Sequence, residues 1–169
     1  MKELFEYKKI IILGAPGSGK SFYSKRLSEI INIPVYHLDL IWWREDKTHI
    51  ERSEFDEKLD EILKKDEWII DGDYSRTYEA RIKNCDLIIL LDYRKDVSIN
   101  GVINRIGTNR EDIPWIETEV DNELIKTIDN YKRINRKKIL DIIKKYPDKE
   151  FIRLKTRNET NLFLDNIKK

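Results

Sequence analysis

Cysteine is almost missing from this chain: Cys85 stands alone among 169 residues. One cysteine excludes a disulfide framework and a cysteine-based zinc site. Its place beside an apolar run marks it as a small buried residue. No apolar run approaches the length of a membrane span. The first such run is short and ends in a glycine loop, so it is no signal peptide. A cytoplasmic protein with no membrane partner is expected. Charge of one sign is lacking too. Charged residues reach 38%, but 33 basic residues meet 32 acidic ones, for a net charge of +1. That balance excludes the strong global field of a nucleic-acid binder, though not a local basic cleft. No direct nucleic-acid partner is expected. Proline (four) and glycine (six) are sparse, and there is no repeat, low-complexity linker or composition break. One domain over residues 1–169 follows, long enough to bury a real core. Its 40% hydrophobic content, with four Trp, eight Tyr and five Phe, is not a disordered composition.

What is present is concentrated near the start. Residues 14–21 read Gly-Ala-Pro-Gly-Ser-Gly-Lys-Ser, the pattern G-x-x-x-x-G-K-[ST]. Ile10, Ile11, Ile12 and Leu13 precede it. A helical pattern follows, with Phe22, Leu27, Ile30 and Ile31 on one side. Strand, glycine loop, helix is the setting in which this string binds phosphate. Glycines let the backbone turn its N–H groups inward around an anion. The helix N-terminus adds unpaired donors and the positive end of its dipole. Gly14, Ala15, Pro16, Gly17, Ser18, Gly19, Lys20 and Ser21, with the adjoining Phe22, are therefore the expected ATP site. Lys20 is expected on the β- and γ-phosphates and the Ser21 hydroxyl on Mg²⁺.

Downstream, strands and helices alternate. Strands are expected at 8–13, 35–38, 68–70, 87–91 and 151–154. Helices are expected at 19–31, 52–65, 75–83, 95–107, 117–146 and 158–168. This order gives a parallel sheet covered on both faces. In such sheets the ligand lies beyond the carboxyl ends of the strands. Asp39, Asp71-Gly72-Asp73, Asp92 and Lys155-Thr156-Arg157-Asn158 stand there. A phosphoryl-transfer site needs a carboxylate near the metal. Asp71 is preferred, with Asp92 as the rival, because Gly72 permits close approach of a substrate; either Asp can also cap a turn. Asp39 can bind or deprotonate a substrate hydroxyl, or cap the next segment. His37 reads as a core or surface histidine. Trp42 and Trp43 can stack on a ring or fill the core. Arg76, Arg105, Arg110, Arg133 and Arg136 are the candidate guanidinium donors for a transferring phosphoryl group. Arg133 and Arg136, three apart on an expected helix, share a face there. Residues 107–116, with Gly107 and Pro114, are the candidate mobile segment.

Residues 11–21 (IILGAPGSGKS), 34–39 (PVYHLD), 68–77 (WIIDGDYSRT) and 133–140 (RINRKKIL) together resemble the topology modulation protein group. That group is similar to the adenylate kinase and nucleotide kinase branch of P-loop proteins. The resemblance implies a three-layer α/β P-loop NTPase fold, with sheet order 2-3-1-4-5. It also implies ATP with Mg²⁺ and a short lid at about 105–116. Arg105 and Arg110 look like paired lid arginines, and Arg133 and Arg136 like those on the helix after the lid. Adenylate kinases carry Asp-Gly-Phe-Pro-Arg after the third strand. Here Asp71-Gly72 is followed by Asp73-Tyr74-Ser75, and Arg76 comes one position late. The expected function is an ATP-dependent kinase for a small-molecule acceptor, a nucleotide or nucleoside. Its metal ligands are Ser21 and Asp71; its acceptor residues are Asp39, Asp71, Gly72 and Arg76. The alternatives are a kinase for a non-nucleotide alcohol and a nucleotide-binding regulator without kinase turnover.

Overall fold

The first strand is apolar throughout, so it must be covered on both sides. In the computed structural model, which describes residues 4–167, β1 (Lys9–Gly14) lies at the centre of a five-stranded sheet. It pairs in parallel with β3 (Trp68–Asp71) on one side and β4 (Leu87–Leu91) on the other. β2 (Val35–His37) and β5 (Glu150–Leu154) form the edges, giving the order β2-β3-β1-β4-β5. Side chains alternate across the sheet. Ile11, Leu13, Ile70, Ile88 and Leu90 enter one core, and Ile10, Ile12, Ile69, Ile89 and Leu91 the other. α1 (Lys20–Ile31) and α8 (Arg157–Ile167) cover the second face through Tyr23, Leu27 and Leu164. α3 (Arg52–Leu63) and α4 (Tyr78–Asn84) pack Phe55, Leu59, Tyr78 and Ile82 into the first. α5 (Lys95–Asn104) adds Val102 there. Cys85 is buried in the same core.

Two expectations about elements need correction. The second strand stops at His37, and Leu38 opens a short helix, α2 (Leu38–Trp42). The expected helix 117–146 begins only at Asn122, where Asp121 caps it by accepting from the Glu123 N–H. It then runs as α6 (Asn122–Tyr131), a π turn (Lys132–Arg136) and α7 (Lys137–Ile143). A π turn holds one more residue than an α turn. It rotates the side chains after it away from the face that a regular helix would give them.

Candidate functional site

The phosphate loop forms where β1 runs into α1. Gly17 (φ 75°) and Gly19 (φ 88°) take backbone conformations that other residues rarely adopt. Gly17 also meets α5 directly: a Cβ on Gly101 would lie 1.9 Å from its carbonyl oxygen. Gly101 lies far from the motif in sequence, so motif reading gave no sign of this contact. Lys20 folds back over the loop and donates to the carbonyls of Gly14 (2.8 Å) and Ala15 (3.0 Å). Burial lowers its pKa, while Asp73, Asp39 and Asp71 pull it up. A phosphate arriving here would replace two carbonyls as its partner.

Beyond β2 and β3 the chain assembles carboxylates. Asp71 is buried and accepts from the hydroxyl of Ser24 on α1 and from His37 Nδ1 at 2.8 Å. Its oxygens thus tie β3 to α1 and β2. Burial opposes a charge on His37, but the bond to Asp71 and the charges of Asp71, Asp112 and Asp39 carry its pKa above the ordinary value. Gly72 (φ 122°) serves packing: a Cβ there would lie 2.8 Å from that of Leu38. Gly72 also lines the cavity, so it packs closely on Leu38 while bordering the open space. Asp39 accepts from the Tyr74 hydroxyl at 2.7 Å, and burial raises its pKa. Asp73 accepts from the Tyr78 hydroxyl and from Asn135 Nδ2 at 2.7 Å, and burial raises its pKa as well. Arg81 is fully buried behind this turn and donates to the carbonyls of Gly72 (2.9 Å) and Asp73 (2.8 Å). Asp73 stands beyond the third strand in sequence but had no role assigned to it, and Arg81 was missed, because charged residues are too common for any one to stand out.

The 105–116 segment closes over the loop. Arg105 and Arg110 both reach Glu117 at 2.7 Å, so two of the expected guanidinium donors are brought together. Arg110 also pairs with Asp112. Asp112 in turn accepts from the Ser21 hydroxyl at 2.5 Å, and Arg110 and Ser21 help hold its pKa below the usual range against burial. Lys25 pairs with Glu111, and Trp115 meets Trp43 edge-on with centroids 5.6 Å apart. Trp42 stacks on His49 and touches Phe55 and Tyr74, a mixed core and cavity position. The cavity under this segment has a volume of about 1240 Å³ and runs from Arg157 to Trp43. That exceeds a usual single-ligand pocket and suits two substrates.

Three expected arginines lie elsewhere. Arg76 pairs with Asp56 on the surface at 2.7 Å. Arg133 is exposed and donates to Asn130. Arg136 reaches Asp92 at 3.4 Å, where Arg153 also binds at 2.5 Å. None of the three lines the cavity. Both arginines lie within the π turn, and they take different partners, Asn130 and Asp92, rather than a shared one. Asp92, the rival to Asp71, is a buried structural anchor for two arginines. Phe22 borders the cavity and is largely exposed. Among the described residues no group of three His, Cys, Asp or Glu is arranged to hold a metal ion. Mg²⁺ bound to a nucleotide needs no such cage, because phosphates and water supply most of its ligands. The Ser21 hydroxyl with the Asp112 carboxylate beside it is a donor set that fits this use.

No protein-family model matches the chain. Solved structures with similar folds include shikimate kinase from Acinetobacter baumannii in complex with shikimate. It has a TM-score of 0.60 and 13% identity, over 96% of this chain and 92% of that one. Shikimate kinase from Bacteroides thetaiotaomicron gives 0.55 and 16%, over 95% and 96%. The fold is that of the P-loop kinases. In sequence the chain is similar to adenylate kinases. The protein from Thermosipho africanus is 29% identical over 129 residues, 72% of this chain and 58% of that protein. The one from Thermotoga maritima is 33% identical over 85 residues, 49% and 38%. The chain therefore spans well under two thirds of the length of these relatives.

Proposed function

We propose that this P-loop kinase-like protein transfers the γ-phosphoryl group of ATP to a hydroxyl of a small molecule. The observation that carries the reading is the Lys20 phosphate loop opening into the same cavity as Asp39. ATP would lie along residues 14–21, with its base toward Arg157. Ser21, with Asp112 near it, would hold Mg²⁺, which supplies charge neutralisation on the β- and γ-phosphates when bound. The acceptor would enter between the ends of β2 and β3 and the lid. Its hydroxyl oxygen attacks the γ-phosphorus, the bond from that phosphorus to the β–γ bridging oxygen breaks, and ADP leaves with the electron pair. The hydroxyl proton passes to Asp39, whose raised pKa brings it nearer the range of a working base. Arg105 and Arg110 would leave Glu117 and Asp112 to meet the spreading phosphoryl charge. Closure of 105–116 keeps water from competing as acceptor.

A second reading takes a nucleoside monophosphate as acceptor, favoured by the adenylate kinase relatives. Against it stands the placement of Arg76, Arg133 and Arg136 outside the cavity. The narrower kinship with the topology modulation protein group and a cytoplasmic location belong to the proposal too. Lys20→Ala tests it. ATP binding or turnover is expected to fall by roughly 2–4 kcal/mol of transition-state stabilisation with the fold intact. ATP binding and turnover like the parent's would refute the phosphate-loop assignment.

A further inference from the structure

The basic residues of the cavity are unevenly placed along the strand order, while the segment after β4 also brings Glu111, Asp112, Glu117 and Asp121. The segments after β4 and β5 bring Arg94, Lys155 and Arg157 to one half. The segments after β2 and β3 bring Asp39, Asp71 and Asp73 to the other, with no arginine or lysine among the cavity-lining residues of those segments. Lys20 sits between the halves, and bound phosphates would claim it. The lid arginines already face Glu117 and Asp112. Asp71 has His37 Nδ1 as its direct partner at 2.8 Å. That leaves Asp39 and Asp73, whose hydrogen-bond donors are all neutral: the Tyr74 and Tyr78 hydroxyls and the Asn135 amide. Arg81 lies behind Asp73 but gives its N–H groups to carbonyls and Thr77, and it does not line the cavity. Trp42, Trp43, Tyr74 and Trp115 border the same half.

We infer that the acceptor is an amine-bearing alcohol with a flat or apolar face, bound as a cation; this rests on the phosphotransferase reading above. A phosphate monoester placed against Asp39 and Asp73 would meet like charge and no guanidinium fork, the usual partner of a phosphate. An ammonium there supplies two partly buried carboxylates with a directly bonded counter-charge; Lys20 and, for Asp73, Arg81 act on them only through space. Aromatic faces attract a cation and cover the apolar face of a ring. The reacting hydroxyl and the ammonium then have separate roles: Asp39 takes the proton, and Asp73 holds the charge.

The test uses the whole protein loaded with Mg²⁺ and a non-hydrolysable ATP analogue. Binding is read by tryptophan fluorescence for two matched pairs, glucosamine against glucose and 2-deoxystreptamine against myo-inositol, with AMP as the anionic comparison. In at least one pair the amine is expected to bind about tenfold more tightly than its neutral partner, with AMP weakest. Asp73→Asn should shrink that gap while binding of the ATP analogue, measured separately, stays intact. If that variant fails to fold, the salt dependence of amine binding to the parent serves instead, and binding indifferent to salt counts against the inference. Equal binding of amine and neutral partners, preferred binding of AMP, or no amine binding at millimolar concentration overturns it. Failure of the ATP analogue itself to bind would overturn the phosphotransferase reading as well, so the two failures are told apart.

Discussion

Asp39 and Asp71 end adjacent strands and look equivalent in sequence, yet their neighbours give them different work. Both line the cavity, but Asp71 is held by Ser24 and His37, whereas Asp39 has the Tyr74 hydroxyl as its donor. Asp39→Asn is expected to lower kcat by about 10²–10⁴ if it is the base, and to leave ATP binding alone. The same change should raise stability at neutral pH. The folded state holds the Asp39 proton more tightly than the unfolded chain does. Its ionisation therefore costs stability as pH rises from the ordinary carboxylate range through the raised value. Thermal unfolding at neutral and acid pH checks the sign: the gain should be present at the first and vanish at the second. A gain that persists in acid would contradict it. Much of this was open to sequence reading, because a carboxylate after an apolar strand is a strong local signal. The division of labour was not, since Ser24 and Tyr74 are ordinary residues until the fold brings them to their partners.

α5 shows how an element outside the motif sets the phosphate loop. Its Gly101 lies against Gly17 with no room for a methyl group. In an exposed helix, Gly→Ala gains roughly 0.5–1 kcal/mol from propensity. Here the clash is with backbone, which cannot rotate away, and overpacking costs about 1–3 kcal/mol. The clash should win. Gly101→Ala is expected to lower the unfolding midpoint and weaken ATP binding together, measured by denaturant unfolding and nucleotide titration. A more stable variant with parental ATP affinity would rule out the close packing. Strand and helix positions were legible because β1 and β4 are apolar runs and the helices keep their period. The π turn at Lys132–Arg136 was not, since its sequence, KRINR, fits a regular helix equally well. Both Arg133 and Arg136 lie in that turn, and neither lines the cavity.

At the scale of the molecule, the sheet order was readable only through likeness to P-loop proteins, because alternating elements fix a parallel sheet but not the sequence of its strands. The order places Asp39, Asp71 and Asp73 after β2 and β3 on one side of the loop, and the segments after β4 and β5, with their basic residues and the carboxylates of 111–121, on the other. The 105–116 segment bridges them through Asp112 on Ser21 and Trp115 on Trp43. The segment is therefore tied down at these two points, the first of them in the phosphate loop. The most direct measurement of the whole account follows the γ-phosphoryl group itself. The protein is incubated with Mg²⁺ and γ-labelled ATP over a panel of amine-bearing alcohols, neutral polyols, nucleosides and nucleoside monophosphates, and the products are resolved by mass. The label is expected on a hydroxyl as a phosphomonoester, with one ADP formed per product, and to be lost with Lys20→Ala. Label released only as free phosphate, label joined to a nucleoside monophosphate as a diphosphate, or no transfer to any acceptor would contradict it.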